Sequence, residues 1–140
     1  MRINTDFLAR CIHALERAQD GLQNFEHEDV LYDVFRAACV KEFEIILEQC
    51  GKLLKKRLRP FFASNRETDR LIFKDIFRHA AKHGLISVEA CERWLVYRDA
   101  RNDTTHEYGT QFAERTLKLL PSFIADATQV RKVLSEPTDD

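Results

Sequence analysis

Three prolines and four glycines in 140 residues leave this chain few places to turn. Pro60 and Pro121 are the only prolines before the tail. Pro and Gly punctuate local structure most strongly, so their scarcity implies few turns and long elements. Apolar residues within those elements recur at spacings of three and four, and no segment alternates convincingly with period two. The chain therefore reads as all-α, an antiparallel up-and-down bundle of about five helices.

The first helix is expected from about Thr5 to Phe25, with Leu8, Ile12, Leu15, Ala18 and Leu22 on one face. The acidic turn Glu26-His27-Glu28-Asp29 leads into the longest stretch, Val30 to Leu58, which Pro60 stops. At 1.5 Å per residue that helix would span roughly 40–45 Å, so its partners should be long too. Its inward residues are expected to be Leu31, Phe35, Ala38, Ile45, Ile46, Cys50, Leu53 and Leu54. A third helix is expected from about Glu67 to His83, turning Leu71, Ile72, Ile76, Phe77 and Ala80 inward, with Gly84 as its C′ residue. Ser87 is the N-cap expected for the fourth, which carries Ala90, Cys91, Trp94, Leu95 and Arg98. The fifth begins near Thr110, and Pro121 inside it predicts a kink or a late break. Residues 1–134 form one helical domain on this reading, and 135–140 a frayed tail.

Hydrophobic residues at 44% and charged residues at 32% are an ordinary globular balance, and 140 residues can bury a core without staples. A net charge of −1 excludes a protein that coats nucleic acid through its whole surface. Cys11, Cys39, Cys50 and Cys91 form no CxxC pair and no cluster with zinc-ligand spacing. No apolar run is long enough to span a bilayer, and the first residues lack a secretory pattern. Reduced thiols and a cytoplasmic location are the expectation, with no metal.

Chemistry concentrates in one stretch, from Trp94 to Gly109, where ionisable groups gather between two apolar helices. Arg101 and His106 suit phosphodiester cleavage in RNA. A guanidinium grips phosphate oxygens bidentately, and an imidazole exchanges protons near neutral pH. On an ideal helix five residues turn about 140°, so the two converge only if Arg101 reaches across, the helix distorts, or a second subunit contributes. The spacing alone equally suits a solvated helix end where both residues serve terminal carbonyls.

The wider pattern is more specific. Arg101-Asn102-Asp103-Thr104-Thr105-His106-Glu107-Tyr108 matches the R-x4-H-x-Y signature of HepT-type HEPN toxins. Together with Trp94-Leu95, Phe43-Glu44, Glu48 and His83-Gly84-Leu85-Ile86, it resembles the family of nucleotidyltransferase substrate-binding proteins from about Ala14 to Leu134. The resemblance implies a homodimer with two motif copies in one cleft. It implies a metal-independent endoribonuclease, the toxin of a type VII-like pair. Its antitoxin would be a minimal nucleotidyltransferase that transfers AMP from ATP to the motif tyrosine. Arg101 would then bind the phosphate of the RNA substrate, His106 act as acid and base, Asn102 orient one of them, and Tyr108 accept AMP. The chain itself would need no cofactor. Asp103 and Glu107 add negative charge inside the motif. The alternative is a non-catalytic substrate-binding subunit of a nucleotidyltransferase, and a third reading is a purely structural helical domain.

Other residues carry plainer expectations. Lys52, Lys55, Lys56, Arg57 and Arg59 steer RNA or simply solvate a helix C-terminus. Glu44 and Glu48 share a face, and either orient the motif arginine or pair with Lys41 or Lys52. Trp94 reads as a core anchor, while Tyr97 and Arg98 read as candidates for a dimer interface. His13, His27, His79 and His83 read as surface or capping residues, and the cysteines as small buried apolar groups.

Overall fold

The computed structural model describes residues 2–103 and 110–137, with the side chains of residues 102 and 103 left undescribed. Six α-helices and one 3-10 turn make up the described secondary structure: α1 (Asp6–Leu22), α2 (Val30–Leu58), the turn Arg59–Phe61, α3 (Asn65–Asp69), α4 (Phe73–Lys82), α5 (Val88–Asp103) and α6 (Thr110–Ser135). Helix α2 is the spine of the bundle and touches every other helix.

Local chemistry explains most of the boundaries. The Asp29 side chain accepts a 2.8 Å hydrogen bond from the Leu31 amide and caps α2. Helix α1 ends at Leu22, three residues short of the expected Phe25, whose ring instead stacks on Phe35 at 5.5 Å. Gly84 has φ +75°, and the amides of Gly84 and Leu85 close on the carbonyls of Ala81 and Ala80. This is a Schellman end to α4, as its glycine suggested. Ser87 Oγ then accepts from the Ala90 amide at 3.0 Å and starts α5.

The helix expected over Glu67–His83 is instead two. Ser64 caps α3 by accepting from the Glu67 amide, and the chain breaks before Ile72, which is extended at ψ 163°. Ile72 stands 63% exposed and does not face inward as expected, while Leu71 is partly buried and packs against the core. The break re-aims α4 so that Ile76, Phe77 and Ala80 reach the core. A Cβ at Gly51 would come within 2.9 Å of the Phe73 ring, so the glycine sets how closely α4 begins against α2. Pro121 does not break α6, which continues to Ser135. Pro121 is solvent-exposed, where water can serve the carbonyl that a proline leaves without its amide partner.

An aromatic cluster joins four helices. Phe77 of α4 stacks on Trp94 of α5 at 4.7 Å, and Phe123 of α6 meets Trp94, Tyr97 and Phe43 of α2. Trp94 is fully buried, the anchor its sequence position implied. Two expectations fail nearby. Tyr97 is 1% exposed and cannot line an interface. Leu31 is exposed rather than inward. Arg57 departs from its basic run too: it is buried, and its guanidinium donates to the carbonyls of Leu134 and Glu136 at 2.8 and 3.2 Å. It thus serves the C-terminal end of α6, where a cation complements the helix dipole. Lys52 and Lys56 of the same run are solvated. All four cysteines are buried and free.

Candidate functional site

Arg101 lies in the last turn of α5 and is partly buried. Asn102 follows in the same turn. His106 and Tyr108 lie outside the described residues. The structure therefore defines the frame on either side of the motif.

On the upstream side, Arg98 donates a 2.7 Å hydrogen bond to Glu48 of α2 and lies over the Phe73 ring at 4.5 Å. Asp99 pairs with Lys74 of α4 at 2.7 Å. Arg98, expected at an interface, is thus engaged within the chain, and Glu48 pairs with it rather than with Lys52. On the downstream side, Glu114 in the first turns of α6 accepts from Tyr32 Oη at 2.8 Å and from Arg36 at 3.2 Å, both on α2. Arg36 also reaches Asp33 at 3.1 Å, and His27 stacks on Tyr32 at 4.3 Å. Burial pushes the Glu114 carboxyl up, but the bonds from Tyr32 and Arg36 and the charge of Arg36 outweigh it and hold the group below its usual range. Burial and the Glu114 hydrogen bond raise the Tyr32 phenol. Both flanks of the motif are thereby tied to one helix, α2.

Two clefts open beside it and share Phe112. The first, of about 310 Å³, lies between α5 and α6 and is lined by Ala100, Phe112, Arg115, Thr116, Lys118 and Leu119. The second, of about 390 Å³, lies between α2 and α6, where Arg36, Val40, Lys41 and Glu44 face Phe112 and Ala113. Glu44 is therefore a wall residue of the second cleft, one turn from Glu48 but in a different setting. Among the described residues no group of three or more His, Cys, Asp or Glu side chains is placed to hold a metal ion. Nor is any described helix long and apolar enough to cross a membrane.

Sequence reasoning missed Tyr32, Arg36 and Glu114. The Tyr32–Glu114 bond spans 82 residues, and no local pattern announces such a pair. It also missed the Arg93–Asp126 pair that joins α5 to α6, with two bonds of 2.8 Å.

A family model described as "Nucleotidyltransferase substrate binding protein like" matches residues 6–136. A Haemophilus influenzae protein named "Probable ribonuclease HepT" is 25% identical over 131 residues, which cover 91% of this chain and 88% of its own. The fold also matches a solved structure from Haemophilus influenzae, described as the fold of a substrate binding domain of a nucleotidyltransferase. Its TM-score is 0.81 at 24% identity, over 95% of this chain and 100% of that one.

Proposed function

This chain belongs to the nucleotidyltransferase substrate binding protein like family, and on that premise we propose that it is a metal-independent endoribonuclease, the toxin of a type VII-like pair. The observation that carries the reading is the spacing Arg101-x4-His106-x-Tyr108, with Asn102 directly after the arginine. Similarity along most of the chain to a protein named as a probable ribonuclease supports it.

In this reading two copies of the chain pair as a homodimer and share one RNA-binding cleft. Arg101 grips the scissile phosphate and stabilises the charge that gathers on it in the transition state. His106 of one copy takes the proton of the 2′-hydroxyl as that oxygen bonds to phosphorus. The bond from phosphorus to the 5′-oxygen breaks, and the leaving oxygen takes a proton from the second copy's His106. A 2′,3′-cyclic phosphate and a 5′-hydroxyl result. Asn102 orients the phosphate, and Glu44 acts from the neighbouring α2 as a positioning residue. The chain needs no cofactor. Its cytoplasmic partner, a minimal nucleotidyltransferase, uses ATP to place AMP on Tyr108 and so silences the site.

The family description itself favours a second reading, a non-catalytic subunit that binds substrate for a nucleotidyltransferase. One experiment separates the two. Unmodified protein, expressed without a partner, is incubated with total RNA in EDTA beside His106→Ala. Cleavage by wild type alone, with cyclic-phosphate ends, supports the ribonuclease. Intact RNA with a folded dimer supports the binding subunit.

A further inference from the structure

Three helices meet one turn before Arg101. Arg98, three residues upstream on α5, is part-buried and donates to exposed Glu48 of α2 at 2.7 Å. Its guanidinium also lies 4.5 Å from the centre of the Phe73 ring. Phe73 opens α4 and sits close against Gly51, one turn beyond Glu48 on α2. The next residue of each helix is joined as well, Asp99 to Lys74 at 2.7 Å. The end of α5 is thus anchored to two elements at once, where a helix otherwise frays.

Ion pairs this exposed add little to global stability, because water screens them. The placement of a catalytic group is far more sensitive, since a displacement of about 1 Å can cost roughly a hundredfold in rate. Arg98 and Arg101 are also neighbours at helical spacing, where like charges repel, and Glu48 offsets one of the two.

Resting on the ribonuclease reading, we propose that Arg98, held by Glu48 and Phe73, is a positioning residue for Arg101. It fixes the last turn of α5, so that the Arg101 guanidinium meets the scissile phosphate in register. Its own charge is met by the Glu48 carboxylate and the face of the Phe73 ring, and it acts on RNA only through Arg101. The loss on removing it falls on kcat. A displaced guanidinium still attracts a phosphate, but it no longer aligns with the transition state.

The test starts from wild type and His106→Ala on total RNA in EDTA, then uses a labelled RNA oligomer spanning a site that wild type cuts. Arg98→Gln and Glu48→Gln should each lower kcat about tenfold with KM unchanged, and the double variant should be no worse than either alone. Arg98→Lys should recover most of the rate, since it keeps a cation between Glu48 and Phe73. Thermal midpoints should shift by no more than about 4 °C throughout. Arg78→Gln removes a comparable ion pair, with Asp75 of α4, and should leave both constants at the wild-type level. If Arg98→Gln raises KM while Glu48→Gln lowers it, Arg98 binds RNA directly and the positioning role is overturned. A rate loss matched by a large fall in midpoint makes the pair merely structural and also overturns it. Wild-type rates in both variants overturn it too, and leave the ribonuclease reading standing. If folded wild type does not cleave RNA, the ribonuclease reading and the positioning role fall together.

Discussion

The phenolic hydroxyl of Tyr97 donates a 2.6 Å hydrogen bond to Asp126, and the same carboxylate accepts both donors of Arg93 at 2.8 Å. Ser122 Oγ lies 2.8 Å from the same phenolic oxygen. Burial, and then the bond to Asp126, raise the Tyr97 phenol well above its usual range and keep it a donor. The Asp126 side chain is 9% exposed and that of Arg93 46%, so the three partners are not equivalent. Tyr97→Phe should cost about 1–2 kcal/mol, the worth of a hydrogen bond to a charged group. Asp126→Ala should cost about 3 kcal/mol, because it strips two partners and leaves a cavity between helices. Arg93→Ala should cost about 1 kcal/mol or less, since water already screens the guanidinium. Urea midpoints at constant slope would check this order.

Glu114 gives the fold a component sensitive to acid. Its folded pKa is depressed below the ordinary value of 4.5 despite burial, by the bonds from Tyr32 and Arg36. The contribution is therefore complete above that value and disappears as pH falls through the lower folded pKa. Wild type should lose thermal stability more steeply than Glu114→Gln between pH 5 and pH 3, by roughly 0.5–1 kcal/mol for a part-buried ion pair still screened by water. Parallel melting curves over that range would remove Glu114 from the acid response.

What the sequence made legible is what local chemistry controls. Asp29 before Val30 and Pro60 after Leu58 mark both ends of α2, and Gly84 and Ser87 mark the turn between α4 and α5. The break at Ile72 was hidden because Leu71 and Ile72 continue an apolar period that a single helix would also satisfy. Only the need to seat Phe77 against Trp94 separates the alternatives, and that contact is tertiary. Tyr97 and Arg57 were misread because a polar tip suggests solvent, whereas each finds its partner inside the protein. At the candidate site the motif was readable as spacing. The clasps on its flanks were not, because Glu48, Tyr32 and Arg36 all act across the bundle.

Gly84 offers a test of backbone conformation free of contacts. Its φ of +75° lies in the left-handed region, and a Cβ there would meet nothing within 4 Å. Gly84→Ala should therefore destabilise through strain alone, by about 1–2 kcal/mol. Gly84→Asn should cost less, because asparagine tolerates that region better. The midpoint of thermal unfolding should fall by about 3–6 °C for alanine, with the helical circular dichroism unchanged.

Burial makes the four thiols poor nucleophiles. It pushes Cys39 up to about 11 and Cys50 further, and it is the leading cause of the rise at Cys11 and Cys91. The thiolate is the reactive form, so a chromogenic disulfide at pH 8 should label the native protein far more slowly than the unfolded chain. At Cys39 and Cys50 labelling should follow the rate of opening, while all four thiols should react at once in denaturant. Fast labelling of two or more native thiols would contradict the buried assignments.

Tyr108 carries the most direct prediction about regulation. A nucleotide on its hydroxyl would bring a phosphate close in sequence to Arg101, the group proposed to bind the scissile phosphate. An attached phosphate competes with a free one at very high effective concentration, so even a weak contact would block the site. Co-expression with an active nucleotidyltransferase partner should add the mass of AMP to the wild-type chain and abolish RNA cleavage. Tyr108→Phe should escape both effects if its own activity survives, which partner-free expression would establish first. Arg101→Lys should keep the charge but lose the bidentate fork, lowering cleavage while leaving the AMP mass in place. Loss of cleavage in Tyr108→Phe on co-expression, with no added mass, would show that the partner inhibits by docking rather than by modification.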